Sequence, residues 1–224
     1  MTTLQSDLLV HERALLNSGE IVVGIDEVGR GALAGPMVLG AVVLTSTSPP
    51  PDTLNDSKLL TALQREALVG PLELWAADWS LGSVSADEID AWGLRLALAV
   101  CATRALDALS IRPSVALIDG SFNLLRAPQD VRFGIEPAPA LTYQSMTATT
   151  LVKGDQRCAS IAAASVLAKV HRDRVMVDLH EDFTEYGWSS NKGYGAKSHL
   201  EAIRRLGQTV HHRHSWQLPE LIDQ

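Results

Sequence analysis

The chain has 224 residues, a net charge of −7 and 46% hydrophobic side chains, a composition typical of globular proteins. No stretch approaches the roughly 18–20 uninterrupted apolar residues of a membrane span, and the first twenty residues lack a signal peptide's pattern. Its two cysteines, Cys101 and Cys158, have no metal-ligand spacing, so we expect buried, reduced thiols. These features exclude membrane and disulfide-dependent secreted classes and predict a soluble, cytoplasmic protein.

The charge is unevenly distributed along the chain. The excess of acid lies in residues 1–112, whereas residues 113–224 carry equal numbers of acidic and basic side chains. A locally basic face on an acidic protein can still bind phosphates, so charge alone leaves a nucleic-acid partner open. The basic residues that suggest such a face are Lys192, Lys197, His199, Arg204, Arg205, His211, His212, Arg213 and His214.

The first half of the chain predicts three strands and two helices. Residues 21–27 form a β-branched apolar run that ends in two acids, which is typical of a central strand buried on both faces. Residues 38–44 and 73–84 predict the next two strands, and residues 61–69 predict a short helix between them. A capping box at residues 85–88 predicts the start of a long helix that continues through Ala108.

The second half predicts alternating strands and helices. Residues 115–118 form a short apolar strand that ends at Asp119, residues 121–142 read as a loop, and residues 142–152 predict a further strand. Residues 157–182 predict a long helix whose run of small residues suits close packing, and residues 197–205 predict another helix. This order of elements indicates an α/β fold with a mixed sheet.

Four acids lie at or near the ends of predicted strands: Asp26, Glu27, Asp119 and Asp155. A turn or helix cap explains a lone Asp beside Gly, but Asp26 lies in a run so apolar that burial costs several kcal/mol unless the acid is paired or metal-bound. If the four converge, cations must offset their repulsion, and oxygen ligands favour magnesium or manganese over zinc. Two such ions can activate a water for phosphodiester hydrolysis.

Two glycine-rich segments suggest contacts with a ligand. In Gly29-Arg30-Gly31 the glycines let the backbone approach a ligand while the guanidinium reaches a phosphate; a tight turn with a solvated arginine explains the pattern equally well. In Lys192-Gly193-Tyr194-Gly195 the tyrosine could stack on a sugar or base; a β-turn with a packed tyrosine is the alternative.

Together these segments resemble the type 2 ribonuclease H family, in the order expected over roughly residues 21–217. The run from Asp26 to Gly31 and the alanine-rich segment are the most specific parts of the resemblance. The matching segments are Gly24 to Gly31 with Ala34-Gly35-Pro36, Leu54-Asn55-Asp56-Ser57-Lys58, Ile118-Asp119-Gly120, Lys153-Gly154-Asp155, Ser160 to Val170 with Arg172-Asp173, Lys192 to Gly195, and His212-Arg213-His214-Ser215-Trp216.

The resemblance implies a ribonuclease H-like mixed sheet flanked by helices in a single catalytic domain over residues 1–224. An N-terminal extension of about residues 1–20 and a C-terminal, substrate-contacting helical extension of about residues 185–224 would complete it. The implied activity is cleavage on the 5′ side of a ribonucleotide, in RNA–DNA hybrids or at single ribonucleotides within duplex DNA. The products would carry a 3′-hydroxyl and a 5′-phosphate, the cofactors would be two Mg²⁺ or Mn²⁺ ions, and a monomer is expected.

The resemblance also assigns roles to residues. Asp26, Glu27, Asp119 and Asp155 would be the catalytic, metal-binding carboxylates. The backbone of Gly29, Arg30 and Gly31 would recognise the 2′-hydroxyl and Tyr194 would check the sugar, while Lys58, Lys153, Lys169 and Arg213 would contact phosphates. Two positions depart from the family pattern, namely Leu59 where a second lysine is frequent and Ala196 where threonine is frequent.

Three other interpretations fit parts of the pattern. A type 3 ribonuclease H would need an additional N-terminal binding domain, for which about twenty residues before the first strand are too few. A nucleic-acid-binding module with a degenerate site would have no reason to bury uncompensated acids. A glycosidase could use two carboxylates, and metal dependence would separate it from a nuclease.

Overall fold

A five-stranded mixed sheet is the centre of the computed structural model, which describes residues 8–54, 60–126 and 141–218. The strands lie in the order β3-β2-β1-β4-β5. Strands β1, β2 and β3 pair antiparallel, whereas β4 pairs parallel with both β1 and β5. The strand bounds are β1 Val22–Val28, β2 Met37–Leu44, β3 Asp78–Val84, β4 Val115–Asp119 and β5 Thr147–Leu151.

Helices cover both faces of the sheet, as a buried central strand requires. One face packs against α3, and the other packs against α2 and α4. The helix bounds are α1 Val10–Asn17, α2 Ala62–Trp75, α3 Ala86–Ala108, α4 Ala159–Asp182, α5 Trp188–Asn191 and α6 Lys197–Leu206. No helix within the described ranges is long and apolar enough to cross a membrane. The predicted α/β class with a mixed sheet is confirmed.

Helix α4 lies unusually close to the two central strands. A Cβ added at Gly24 of β1 would lie 2.3 Å from the backbone of Ser160, and one added at Gly40 of β2 would lie 2.4 Å from the carbonyl oxygen of Ala164. The glycines in the strands and the small residues in α4 are therefore both needed for this contact. The small-residue face predicted for this helix is confirmed.

Several predicted boundaries differ from the structure. The strand predicted over residues 73–84 begins only at Asp78, because residues 73–75 continue α2 past Pro71. The strand predicted over residues 142–152 is shortened to β5, and residues 127–140 of the predicted loop lie outside the described residues. The capping box is confirmed, since the Ser85 hydroxyl accepts from the backbone N–H of Glu88 and the Glu88 carboxylate accepts from that of Ser85.

The N-terminal segment caps helix α4. Backbone N–H groups in the first turn of a helix have no partner within it, so they need acceptors from elsewhere. The N–H of Ala159 donates to the carbonyl of Leu8 at 2.8 Å, and the N–H of Ser160 donates to Oε1 of Glu12 at 2.9 Å. The Ser160 hydroxyl donates to the same oxygen. The described part of the predicted N-terminal extension, from residue 8 onward, is thus part of the packing around α4.

The C-terminal segment returns to the loop that follows β1. Gly193 accepts backbone hydrogen bonds from Leu33 and Ala34, and a Cβ at Gly193 would lie 2.4 Å from the Ala34 carbonyl oxygen. Further along, the Arg213 N–H donates to the Leu33 carbonyl, and Asp90 at the start of α3 accepts from the backbone N–H groups of residues 214 and 215. Residues 193–215 are thereby fixed against residues 32–36.

The capping role of Glu12 predicts a loss of stability in Glu12→Ala. Two buried donors, the N–H and the hydroxyl of Ser160, would lose their acceptor, so urea unfolding should show a decrease of about 1–3 kcal/mol in the free energy of unfolding. The exposed Glu73 of α2 provides the matched control, and Glu73→Ala should change stability by less than about 0.5 kcal/mol. Equal effects of the two substitutions would show that Glu12 does not cap α4.

Candidate active site

Two of the four predicted acids are brought together by the parallel pairing of β1 and β4. Ile25 pairs with Ile118, so the next residues, Asp26 and Asp119, emerge side by side at the same end of adjacent strands. Asp26 is 5% exposed, and its Oδ1 accepts from the backbone N–H of Glu27 at 2.8 Å. The prediction that strand ends would place these acids together is confirmed.

Asp155 reaches the same end of the sheet through β5. Asp119 pairs with Leu151, the last residue of β5, and the short 3-10 helix Gly154–Gln156 follows. The N–H of Gly154 donates to Oδ1 of Asp119 at 2.6 Å, which ties the loop carrying Asp155 to the end of β4. Asp155 is 1% exposed, and it interacts electrostatically with Asp26.

Asp26 and Glu27 belong to opposite faces of β1, because side chains alternate along a strand. Asp26 faces α4, where the Ser165 hydroxyl forms a hydrogen bond with its carboxyl group. Glu27 is partly exposed on the side of α3, and its Oε1 lies 3.5 Å from Nη1 of Arg30. The two acids therefore approach the end of the strand from different sides.

Burial makes this cluster electrostatically unfavourable by itself. The pKa of Asp26 is raised to about 8, first by burial and then by the charges of Glu27, Asp119 and Asp155, whereas the hydrogen bond with Ser165 lowers it. The pKa of Glu27 is also raised, first by burial, although Arg30 partly offsets the effect. Carboxylates that repel one another in this way stay ionised near neutral pH when a cation lies among them.

The donor set of the cluster suits a hard metal ion. All four side chains offer only oxygen atoms, which are the ligands that magnesium and manganese prefer. Within residues 8–54, 60–126 and 141–218, no group of three or more His, Cys, Asp or Glu side chains is placed so that it could hold a metal ion as it stands. An ion bound here would therefore draw the carboxylates toward itself and relieve the repulsion between them.

A cleft of about 290 Å³ opens beside the acids. It contains the predicted recognition residues as well as two side chains that the sequence did not single out, Arg65 and Ser165. Its lining consists of Asp26, Glu27, Val28, Gly29, Arg30, Gly31, Arg65, Asp119, Ser165, Lys169 and Tyr194.

The two glycines of the Gly29-Arg30-Gly31 turn have different requirements. Gly29 has a φ of +87°, and a Cβ there would lie 2.1 Å from Nε of Arg172, so both the backbone and the packing require glycine. A Cβ at Gly31 would meet no described atom within 4 Å. The fold therefore explains why glycine is needed at position 29. At position 31 packing does not require glycine, and its small size leaves open space on the wall of the cleft.

Arg213 does not occupy the position predicted for a phosphate contact. Its side chain is fully buried, and its guanidinium donates to the backbone carbonyls of Gly29, Arg30 and Gly35 at 2.6, 2.8 and 3.3 Å. The prediction of direct contact with phosphate is wrong for this residue, because these carbonyls engage both terminal nitrogens of its guanidinium. Burial lowers its pKa to about 10, so it remains charged at neutral pH.

The basic segment predicted at the C-terminus is only partly a surface. His199 and His212 are fully buried, and burial lowers the pKa of His199 and that of His212, the latter to about 4. Both imidazoles are therefore neutral at pH 7. The exposed cationic face is smaller than the sequence suggested, because periodicity around α6 did not reveal that these residues turn inward.

The buried histidines form a hydrogen-bonded chain that ends at Tyr194. His212 Nδ1 accepts from the backbone N–H of Thr209 at 2.9 Å, which leaves Nε2–H to donate to His199 Nε2 at 3.2 Å. His199 Nε2 also accepts from the indole N–H of Trp188, and its Nδ1–H donates to the Tyr194 carbonyl at 2.8 Å. Each ring accepts at one nitrogen and donates at the other, so the chain requires both rings to be neutral.

Tyr194 itself extends into the cleft. Its side chain is 37% exposed, and the guanidinium carbon of Arg172 lies 5.3 Å from the centroid of its ring. The β-turn of the alternative interpretation is present, since the Tyr194 N–H donates to the Asn191 carbonyl at 3.0 Å, but the partly exposed ring also lines the cleft. Arg172, which the sequence placed only within a motif, is fully buried and donates to the carbonyls of Ala34, Pro36 and Lys192.

The three lysines predicted to contact phosphates differ in position. Lys169 lines the cleft and pairs with Asp173 at 2.6 Å, and burial lowers its pKa. Lys153 is exposed beside the loop of Asp155, with a positive φ of 56°. Lys58 lies outside the described residues.

Comparison with known proteins identifies the family to which this chain belongs. The family model described as Ribonuclease HII matches residues 23–218. The chain belongs to the ribonuclease HII family. A Streptomyces coelicolor protein named ribonuclease HII is 41% identical, with 95% of this chain and 84% of that protein covered. One from Cereibacter sphaeroides is 44% identical, with 92% and 89% covered.

Solved structures support the same fold. The ribonuclease H2 from Pyrococcus horikoshii OT3 superposes with a TM-score of 0.67 at 27% identity, over 88% of this chain and 94% of that one. The Bst-RNase HIII structure in complex with Mn²⁺ gives a TM-score of 0.64 at 18% identity, over 88% and 67%, which shows the fold alone. Membership of the ribonuclease HII family makes this chain a type 2 ribonuclease H, a nuclease that acts on RNA–DNA hybrids.

The buried histidine chain predicts that stability falls at acid pH. Because the folded-state pKa of His212 is about 4, against 6.5 ordinarily, the unfolded chain takes up a proton first as the pH falls. The stability contributed by this ring is complete above pH 6.5 and is lost between pH 6.5 and 4, by roughly 3 kcal/mol in total, of which about 2 kcal/mol is lost by pH 5. Urea unfolding at pH 7 and pH 5 measures the loss.

The pH dependence should become shallower when the ring is replaced. His212→Gln cannot titrate, so its free energy of unfolding should change less between pH 7 and pH 5 than that of the unsubstituted protein. His171→Gln, at an exposed position on α4, should keep the original dependence. An unchanged pH dependence in His212→Gln would contradict the assignment of a neutral, buried ring.

Proposed function

We propose that this protein hydrolyses the phosphodiester on the 5′ side of a ribonucleotide, both in RNA–DNA hybrids and at single ribonucleotides embedded in duplex DNA. The observation that supports this proposal most strongly is the position of the Gly29-Arg30-Gly31 turn, which continues β1 directly from Asp26 and Glu27 and lines the same cleft. The six consecutive residues 26–31 thus contain two of the acids for phosphodiester hydrolysis and the backbone that would recognise the ribonucleotide. Such an activity would serve to remove ribonucleotides from DNA.

Asp26, Glu27, Asp119 and Asp155 would hold two Mg²⁺ or Mn²⁺ ions in this proposal. A related type 3 enzyme has been solved in complex with Mn²⁺, and the oxygen-only donor set here suits either ion. Bound metal would activate a water and neutralise charge on the leaving oxygen, giving 3′-hydroxyl and 5′-phosphate products. Asp26 and Asp119 lie adjacent at the strand ends, and the Ser165 hydroxyl orients the carboxyl group of Asp26.

Recognition of the ribonucleotide would come from both walls of the cleft. The backbone of Gly29, Arg30 and Gly31 would contact the 2′-hydroxyl, and the partly exposed ring of Tyr194 would pack against the sugar. Lys169 at the cleft and exposed Lys153 would contact phosphates, as would Lys58. The C-terminal extension from about residue 185 contributes Tyr194 and the buried groups that hold it, which is consistent with a substrate-contacting role.

The buried free thiols of Cys101 and Cys158 fit a reducing compartment, so we propose the cytoplasm as the site of action. Residues 8–21 would serve the same catalytic domain, since Leu8 and Glu12 cap α4. We propose a monomer, because the acids and the recognition turn come from one chain.

A nicking assay tests the proposed activity directly. A DNA duplex with one ribonucleotide should be cut on its 5′ side when Mg²⁺ or Mn²⁺ is present, and excess chelator should abolish the cut. Asp119→Asn should reduce the rate at least about 100-fold, because removal of a charged group that stabilises a transition state costs several kcal/mol. Asp107→Asn, exposed on α3, is the matched control and should retain full activity.

Two results would refute the assignment. Cleavage that persists in excess chelator would show that the reaction does not need a metal ion. Cleavage undiminished in Asp119→Asn would show that the cluster at the strand ends does not carry the reaction.

Gly31→Ala tests the recognition turn separately from the acids. A methyl group here meets no described atom, so the thermal unfolding midpoint should stay within about 2 °C, but the methyl would occupy space meant for the sugar. Cleavage at a single ribonucleotide should fall roughly tenfold or more, since a clash of this kind costs about 1–3 kcal/mol. Steady-state rates on a duplex with one ribonucleotide measure the effect.

Gly70→Ala provides the control for this substitution. Gly70 of α2 is also surrounded by open space, and alanine should stabilise the helix by about 0.5–1 kcal/mol without a change in cleavage. Equal cleavage by Gly31→Ala and Gly70→Ala would remove the turn from the recognition surface.

A further inference from the structure

Arg213 is a buried cation, and no carboxylate among the described residues forms a hydrogen bond with it. Its Nη1 donates to the Arg30 carbonyl at 2.8 Å, and its Nη2 donates to the carbonyls of Gly29 at 2.6 Å and Gly35 at 3.3 Å. Its ring neighbour is Trp216, whose centroid lies 4.9 Å from the guanidinium carbon. Burying a charge is costly, so the fold gains something specific from these carbonyl contacts.

The contacts determine which way the amide groups of the turn point. In a trans peptide the carbonyl of one residue and the N–H of the next lie in one plane and point in opposite directions. The carbonyls of Gly29 and Arg30 point to Arg213, so the N–H groups of Arg30 and Gly31 point away from it. Gly29, Arg30 and Gly31 line the cleft, whereas the guanidinium lies behind them in the interior.

The chemistry of arginine suits this task. Its planar guanidinium presents parallel donors in a fixed fork, so one side chain can hold two successive carbonyls at once. Its positive charge lies behind the two amide N–H groups and strengthens their attraction for an oxygen atom in the cleft. A lysine at this position keeps the charge but offers a single ammonium point that cannot hold both carbonyls in one plane.

We propose that Arg213 is a positioning residue that presents the N–H groups of Arg30 and Gly31 to the 2′-oxygen of the ribonucleotide. The inference rests on the proposed function and deepens it. Arg213 never touches the substrate; it orients the two donors that do. Recognition of the 2′-oxygen therefore depends on a side chain from the C-terminal segment.

The experiment compares two duplexes that differ only in the 2′ substituent at the site of cleavage. One carries a single ribonucleotide, and the other carries a 2′-fluoro nucleotide, because fluorine is a poor acceptor for amide N–H groups and the attacking group is water rather than the 2′-hydroxyl. The unsubstituted protein should cleave the ribonucleotide duplex about tenfold or more faster, since two hydrogen bonds are lost. In Arg213→Lys this ratio should fall to within about threefold.

The ratio separates positioning from a general structural role. A substitution that merely unfolds part of the protein lowers both rates by the same factor and leaves the ratio unchanged, and that result would overturn the inference. Arg112→Lys is the matched control, because Arg112 is an exposed arginine that also donates to a backbone carbonyl, that of Leu106. It should keep the original ratio. Failure of the unsubstituted protein to cut either duplex would refute the proposed function instead.

A second measurement needs no substitution and stays decisive if Arg213→Lys does not fold. Amide resonances of the ¹⁵N-labelled protein are followed with each of two duplexes of one sequence, all-DNA and with one ribonucleotide, in chelator so that nothing is cut. The Arg30 and Gly31 amide signals should shift more with the ribonucleotide. Identical shifts with both duplexes would show that these amides do not face the 2′-oxygen.

Discussion

The contact between α4 and the two central strands is the constraint on which the rest of the structure depends. The backbone of α4 lies so close to Gly24 and Gly40 that a Cβ at either position would clash with it. This distance brings the Ser165 hydroxyl to the carboxyl group of Asp26. A buried acid could not be tolerated at the end of β1 without such a partner, since an unpaired carboxylate in an apolar interior costs several kcal/mol. The close packing of α4 against the sheet therefore also supplies the hydrogen-bond partner that the acid at the end of β1 needs.

The sequence predicted the parts of the molecule that arise from local patterns. Alternating strands and helices, the capping box at Ser85 and the acids at strand ends all follow from periodicity and residue type over short stretches. Register then brought Asp26 beside Asp119 because parallel strands align at one end. The strand predicted over residues 73–84 failed for the opposite reason. Leu74 and Trp75 suggested the start of a strand, but the helix that begins after Thr61 continues through residues 73–75.

The sequence could not predict the roles that depend on distant partners. Arg213 and His212 belong to a run of basic residues, which is typical of a surface, yet both are fully buried. Their partners lie in the loop after β1 and around α5, and no local pattern reports such pairing. The hydrogen bond between Ser165 and Asp26 could not be predicted either, because a serine within an alanine-rich helix resembles a small packing residue. The sequence identified the candidate acids from their residue type. The side chains that hold other groups in position could be identified only from their contacts in the structure.

The bond between Arg213 and Gly29 also has a consequence for biosynthesis. It joins groups separated by 184 residues, so a chain that emerges from the ribosome in order carries all four acids long before it can fix the turn beside them. Contacts of such separation form late, because the entropy of closing the loop must be offset by the rest of the packed core. Chains that end before residue 213 therefore carry the acids without the side chain that holds the turn beside them. The turn reaches its final conformation only when the C-terminal segment has packed against it.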